Sequence, residues 1–301
     1  MTIKYSIFHV QGGIGKHVAA TAIAKAIKNN YPDRKLIVVC AYTDIFINLK
    51  YVDRVYMIGA TSYFYQNYIQ DKDSLIFYHE PYFTTDHIHK KTPLIENWCN
   101  LYGLKYNNEK PEIKYNAVQI DASRKHWFRG SKPTMVIHTN GGLMTTEAKP
   151  YSWTRDMPEN LAQQIVDHYS KDYHIYQVTK LNSPKLKNAE HIFATPEKSL
   201  STMELFSLLL HSKKQILIDS CMQHAAAALN KRSTVLWIGT SPKTFGYNMH
   251  TNIVTSIPYE FKLPGSYLFD FDFNGNEIEY PFSEEEKMFD VDQIIESIDK
   301  Q

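Results

Sequence analysis

Short apolar runs alternate with segments of helical periodicity along most of the chain. Runs without a helical period predict strands. They occur at residues 5–10, 36–40, 55–58, 75–78, 135–138, 175–178, 216–218 and 235–238. Between them, apolar residues recur at helical spacing, as at Leu161, Ile165 and Tyr169. Strands that do not alternate strictly and are separated by helix-length segments are typical of parallel sheets covered by helices, so the pattern predicts an α/β protein.

The pattern loosens between residues 102 and 132, where polar and charged residues interrupt it. We predict one strand in this stretch, at residues 117–120, and a hinge near residues 130–133. Beyond the hinge, strands and helices alternate again. We therefore expect two Rossmann-like domains that face a cleft, one formed by residues 1–130 and the other by residues 131–301.

The chain ends in an acidic segment, residues 283–301. Ile294, Ile295 and Ile298 fall on one side of a helix at this spacing, which predicts an amphipathic helix. This last helix is a candidate to pack back on the first domain.

Composition narrows the class of protein. Of the 301 residues, 43% are apolar and 22% are charged, as in typical globular proteins. The net charge of +1 gives no general attraction to nucleic acid or anionic bilayers. Cys40, Cys99 and Cys221 are far apart, which excludes a disulfide scaffold and a cysteine-based zinc site. No signal peptide and no apolar run near ~18 residues is present, so we expect a soluble cytoplasmic protein.

A glycine-rich turn follows the first predicted strand, with the sequence Gln11-Gly12-Gly13-Ile14-Gly15-Lys16-His17. Three interpretations are open. The turn resembles an ATPase P-loop, although Val10 and His17 stand where that motif has Gly and Ser or Thr. It would also suit a phosphate or a sugar hydroxyl, by bringing backbone N–H groups and a helix N-terminus to a cleft. In the third interpretation, the glycines only permit a tight turn between strand and helix.

A second candidate site follows a buried strand of the C-terminal half. Asp219 and Ser220 come directly after this strand, and His224 follows four residues after Ser220. On a helix that begins here, Ser220 and His224 share one face near the first turn. The free N–H groups of such a turn attract an anion such as a diphosphate. The next strand leads to Gly239 and Thr240 at the same edge of the sheet.

This segment resembles glycosyltransferase family 9, the heptosyltransferase-like enzymes of bacterial surface polysaccharide synthesis. The family pattern Asp-Ser/Thr-Gly-x-x-His-x-Ala-Ala-Ala-Leu is matched from Asp219 to Leu229, except that Cys221 replaces the Gly. The Gly-Gly-x-Gly-Asp loop of the family looks like residues 12–16, with Lys16 in place of the Asp. The resemblance covers both halves in the same order, but residues 63–132 match nothing in it.

The resemblance implies a GT-B fold of two Rossmann-like domains. It also implies inverting transfer of a sugar from a nucleotide-sugar donor to a hydroxyl acceptor, without a metal or other cofactor. Asp219, Ser220 and His224 would hold the donor, helped by Gly239 and Thr240. The acceptor would be a glycan or another hydroxyl compound, with peripheral membrane contact if it is lipid-linked. We expect no nucleic-acid partner.

The general base needs a new position, because Lys16 replaces the acid that the family places in the loop. A lysine accepts a proton at neutral pH only if burial lowers its pKa by several units. Our candidates for the base are His17 and the pair His79–Glu80, and Lys16 would hold a phosphate or an anionic acceptor. The acceptor side would be lined by Gly12, Gly13 and Gly15.

Two other functions are consistent with the sequence. A catalytically inactive protein that binds a sugar nucleotide would bind nucleotide and form no product. A P-loop-type ATPase would hydrolyse nucleotide with Mg²⁺ and would lose this activity when Lys16 is changed.

Overall fold

The computed structural model describes residues 3–128, 130–141, 154–180, 183–192, 200–255 and 288–301. The strands within these ranges are β1 (Lys4–Val10), β2 (Lys35–Cys40), β3 (Arg54–Met57), β4 (Asp73–Phe77), β5 (Thr134–His138), β6 (His174–Val178), β7 (Glu190–Ile192), β8 (Lys214–Ile218), β9 (Thr234–Trp237) and β10 (Thr251–Val254). The helices are α1 (Ile14–Asn30), α2 (Phe64–Tyr68), α3 (Thr85–Ile88), α4 (Leu94–Leu101), α5 (Ala117–Trp127), α6 (Glu159–Tyr169), α7 (Thr202–His211), α8 (Cys221–Ala228), α9 (Pro242–Phe245) and α10 (Val291–Asp299). None of these helices has the length and apolar character needed to cross a bilayer.

Two parallel sheets organise the chain. The first has the strand order β3-β2-β1-β4 and the second β10-β9-β8-β5-β6-β7. Every strand pairing is parallel. Inner strands such as β2 and β8 are buried on both faces, which is why their apolar residues run without alternation. The predicted α/β architecture with two Rossmann-like sheets is therefore confirmed.

The strand predicted at residues 117–120 is wrong, because these residues begin helix α5. Asn116 caps the helix by accepting a hydrogen bond from the Gln119 amide, and the Gln119 side chain accepts one from the Asn116 amide. At the other end, the buried indole of Trp127 donates to the Ser207 hydroxyl of α7 at 2.8 Å. Helix α5 thus packs on α7 of the second domain, ahead of the boundary expected at residue 130.

The last helix, α10, packs on the second sheet rather than on the first domain. Ile294 and Ile298 are fully buried in the apolar cluster that also contains residues of β8 and α6. The Lys214 ammonium at the start of β8 pairs with the Asp299 carboxylate at 2.8 Å. The predicted amphipathic helix is present, but its apolar face packs on the second domain.

Helices α1 and α8 join the two domains by close packing at their N-terminal ends. A Cβ atom built on Gly15 would lie 2.9 Å from Cδ2 of His224 and 3.3 Å from Cα of Cys221. Real Cβ atoms do not approach other atoms this closely, so only glycine fits at position 15 without movement of its neighbours. Both helices are rich in alanine and contribute to one continuous apolar core.

We predict that Gly15→Ala lowers the free energy of unfolding by about 1–3 kcal/mol, because the added methyl group overpacks the contact with α8. Gly13→Ala is the matched control. A Cβ atom at Gly13 meets nothing within 4 Å, and the only expected cost is that of a poorer helix cap, about 0.5 kcal/mol. Urea unfolding of both variants measures the difference, and equal costs would contradict the close contact.

Three histidines of the second domain are buried, namely His138, His224 and His250. Burial lowers the pKa of each to about 4 from the usual 6.5. All three rings are therefore neutral at pH 7. Between about pH 6.5 and pH 4 the unfolded chain binds protons at these rings and the folded chain does not, so acid favours unfolding.

We predict that the free energy of unfolding falls as the pH drops from 6.5 to 4, with up to about 3 kcal/mol lost for each ring. His250→Gln removes one of these protonations and flattens the slope by about 1.4 kcal/mol per pH unit. Urea unfolding across this range gives the slope. The exposed His89→Gln controls for the substitution itself. Parallel slopes for His250→Gln and the unsubstituted protein would show that the ring is not buried in its neutral form.

Candidate active site

The candidate residues gather where strands of the two sheets end. The glycine turn follows β1 and Glu80 lies just beyond β4, whereas Asp219 follows β8 and Gly239 lies just beyond β9. Ligand crevices of parallel sheets open at these carboxyl ends. Because Gly15 lies against the first turn of α8, the two sheet edges meet at the start of α1 and α8.

The glycine turn combines a tight bend with a close helix contact. Gly12 has a φ of +97°, in the left-handed region that other residues rarely adopt. Gly15 makes the contact with α8, and Gly13 caps α1 in an ordinary extended conformation. Glycine is thus required at position 12 by the left-handed backbone and at position 15 by the contact with α8.

Lys16 is held by protein groups and faces the end of β4. Its ammonium forms an ion pair with Oε2 of Glu80, and it lies 5.3 Å from the ring centre of Tyr82 and 5.4 Å from that of Trp98. Burial lowers the pKa of Lys16, although the Glu80 carboxylate opposes this shift. The second oxygen of Glu80, Oε1, is buried and has no hydrogen-bond partner among the described residues.

His17 and His79, the two histidines proposed as bases, occupy opposite environments. The His17 ring is fully buried, where Nδ1 lies 2.9 Å from the Gly13 carbonyl oxygen and Nε2 accepts from the Ala41 amide at 3.2 Å. Burial lowers its pKa, and both nitrogens are used to tie the turn to the end of β2. The His79 side chain is exposed, and its backbone carbonyl accepts from the Tyr102 hydroxyl at 2.9 Å.

The start of α8 presents a helix end without a side-chain cap. Ser220 occupies the N-cap position, its hydroxyl caps no backbone amide, and the first turn holds no acidic side chain. Such an end carries a partial positive charge and free N–H groups. The buried Asp219 lies just before it. His224, one turn on, is neutral and its Nδ1 lies 2.8 Å from the Tyr247 hydroxyl.

Gly239 and Thr240 line a crevice between the domains. The Gly239 amide donates to the Thr154 carbonyl at 2.7 Å, and the Thr240 hydroxyl is buried with no partner in the described ranges. His87 and Lys90 of the first domain form the opposite wall. The crevice has a volume of about 10 Å³, enough for about one water molecule. A larger ligand here requires the walls to move apart.

Two tyrosines complete the site, and the sequence did not single them out. Burial raises the pKa of Tyr82, and the charges of Glu80 and Asp219 raise it further. The pKa of Tyr247 is also raised, by burial first and then by Tyr82 and Asp219 among others. Tyr82 therefore lies near carboxylates of both domains. With 21 tyrosines in the chain, no local pattern distinguishes these two from residues of the core.

Several solved structures share this architecture. A family 9 glycosyltransferase from Veillonella parvula has a TM-score of 0.67 at 11% identity, over 100% of this chain and 98% of that one. TibC from enterotoxigenic E. coli, an iron-containing dodecameric glycosyltransferase, has a TM-score of 0.66 at 12% identity, over 100% of this chain and 80% of that one. The ADP-heptose lps heptosyltransferase II of E. coli has a TM-score of 0.59 at 11% identity, over 83% of this chain and 89% of that one.

The sequence itself matches no protein-family model and no curated protein. One of the similar structures contains iron, whereas no group of three or more His, Cys, Asp or Glu in the described parts of this chain is arranged to hold a metal. At 11% and 12% identity the likeness is one of fold. The GT-B fold of heptosyltransferase-like enzymes, expected from the sequence resemblance, is thereby confirmed.

Proposed function

We propose that the chain is a glycosyltransferase that moves a sugar from a nucleotide-sugar donor to a hydroxyl acceptor, with inversion and without a metal. One observation carries the proposal: the uncapped start of α8 faces the glycine turn of the other domain. The shared fold supports it, because TibC was also solved with ADP-D-beta-D-heptose. The donor would enter when the domains separate and would be enclosed when they close.

The donor's diphosphate would bind at the start of α8. Backbone N–H groups at a helix N-terminus stabilise the negative charge that grows on a departing nucleoside diphosphate. The Ser220 hydroxyl would donate to a phosphate oxygen, and Asp219 would accept from a sugar hydroxyl. His224, being neutral, would contribute a hydrogen bond rather than a charge. The Thr240 hydroxyl, which has no partner in the described ranges, would face the same ligand.

Arg155 would supply a positive charge that the sequence did not reveal. It is exposed and follows Thr154, whose carbonyl accepts from the Gly239 amide at the end of β9. Its charge also opposes the raised pKa of Tyr82, which places its guanidinium near the same space. Arginine binds phosphate through paired N–H groups, so this side chain is suited to the leaving diphosphate.

Glu80 is our choice for the general base. Lys16 holds Oε2, and the unpartnered Oε1 is left to accept the proton of the acceptor hydroxyl. The acceptor oxygen would attack the anomeric carbon on the face opposite the diphosphate. The bond to the diphosphate breaks, its electron pair leaves with the phosphate, and the configuration inverts. In this proposal Lys16 positions the base, and His17 holds the glycine turn.

We predict that Glu80→Gln lowers kcat by about 10²–10⁴, the usual contribution of a general base. Binding of the nucleoside diphosphate should stay within about twofold of the unsubstituted protein, since Glu80 does not touch the phosphates in this proposal. Steady-state kinetics and calorimetry measure the two quantities.

The neighbouring His79→Gln is the matched control and should keep its kcat. If His79→Gln is the variant that loses turnover, the base is His79 instead. If neither variant loses tenfold, a base at the end of β4 is excluded.

The absence of a metal requirement needs its own test. Asp-x-Asp triplets bind divalent cations in many enzymes. In this chain they occur at residues 71–73, 270–272 and 290–292. The first and last have structural roles, since Asp73 pairs with Arg34 and Asp290 caps α10. Residues 270–272 lie outside the described ranges. We predict that transfer continues unchanged in excess EDTA. Loss of turnover that Mg²⁺ or Mn²⁺ restores, and that Asp270→Asn also abolishes, would overturn this part of the proposal.

A further inference from the structure

A second cavity lies at the opposite end of the second sheet. It has a volume of about 520 Å³ and is bordered by the connections from α7 to β8 and from α8 to β9. These connections lead into the amino ends of the strands, whereas Asp219 and Gly239 stand at the carboxyl ends. At about 3.3 Å per residue, the length of β8 alone separates the two places by roughly 13 Å. The cavity is therefore distinct from the candidate active site.

Among the described residues, the lining of the cavity combines cations with neutral polar side chains and includes no Asp or Glu. Lys213, Lys231 and Arg232 border it together with His211. None of the three cations forms an ion pair with any described residue. The Lys231 ammonium is half-buried and donates to the Ser212 carbonyl at 3.2 Å. A neutral carbonyl offsets little of the cost of burying a positive charge.

Backbone hydrogen bonds fix the two connections that carry Lys213 and Lys231, whereas the side chains of Lys213 and Arg232 are exposed. The Lys231 amide donates to the Ala226 carbonyl at 2.8 Å, just after Asn230 reverses the chain in the left-handed region. On the facing connection, the Lys213 amide donates to the Thr134 carbonyl at 2.8 Å. The two connections therefore bring Lys213 and Lys231 to the border of the same cavity.

Burial disfavours the positive charge of two groups at this cavity, Lys231 and His211. Burial lowers the pKa of Lys231. Burial also lowers the pKa of His211, and the charges of Lys231 and Arg124 lower it further. Like charges held together destabilise a folded chain unless a counter-ion neutralises them. A bound anion would therefore offset the cost of the half-buried Lys231 charge.

We propose that the cavity formed by His211, Lys213, Lys231 and Arg232 is a second binding site, for a small phosphate-bearing molecule with at least two negative charges. The guanidinium of Arg232 and the two ammonium groups match phosphate oxygens in charge, and a guanidinium can donate two parallel hydrogen bonds to a phosphate. The volume falls within the range of small-molecule sites, about 300–1,000 Å³.

Pyrophosphate is the probe, and the imidazole resonances of His211 are the local readout. Pyrophosphate should shift these resonances in a saturable way and raise the pKa of His211, because the bound anion offsets the nearby positive charges. Inorganic phosphate should bind more weakly, and sulfate at equal ionic strength should not reproduce the pyrophosphate effect. The amide of Cys221 reports separately on binding at the start of α8, so the two sites are not confused.

The double variant Lys231→Met, Arg232→Gln should weaken this binding by about tenfold or more, since it removes two charge-assisted contacts. The control Lys4→Gln, Lys125→Gln removes two charges that are paired elsewhere and should bind as the unsubstituted protein does. The double variant should be at least as stable to heat as the unsubstituted protein, because the half-buried charge of Lys231 is removed. Unaltered His211 resonances, equal shifts with sulfate, or equal binding by both variants would overturn the proposal.

Discussion

The contact between Gly15 and the first turn of α8 is the constraint on which the rest of the site depends. A single Cβ atom at this position would meet the His224 ring at 2.9 Å. Because the side chain is absent, the first turns of α1 and α8 pack closely, and the carboxyl edges of the two sheets come together. The ion pair of Lys16 and Glu80 and the uncapped start of α8 both lie next to this contact, because Lys16 follows Gly15 and Cys221 packs against it.

Charge at the site is divided between the domains. Glu80 belongs to the first and Asp219 to the second, and both raise the pKa of Tyr82. The buried His224 adds no charge at neutral pH, so in our proposal the helix end, hydrogen bonds and the Arg155 guanidinium hold the anion. In our proposal the carboxylate base has moved from the loop to the end of β4, and Lys16 fills the loop position and holds it.

The sequence predicted the sheets well because buried parallel strands are continuous apolar runs. It failed at α5, where Ala117, Val118 and Ile120 suggested a strand although Val118 is 77% exposed on a helix. The spacing of Asn116 and Gln119 was the missed signal, since it forms a capping box.

The sequence indicated individual residues of the candidate site, but not which of them contact one another. The glycines, Lys16 and Asp219 stand out locally. The pairing of Lys16 with Glu80 joins residues 64 positions apart, and Nε2 of His17 accepts from the Ala41 amide just after β2. Contacts of this range follow from the packing of sheets and helices, which no local spacing encodes.

The most direct test of the central claim is a crystal structure of the chain with a bound nucleoside diphosphate. We predict that the terminal phosphate lies within hydrogen-bond distance of the backbone amides of Cys221 and Met222, on the side that faces the glycine turn. A diphosphate bound over the glycine turn through the Lys16 ammonium, with the start of α8 unoccupied, would contradict the assignment of α8 as the donor site.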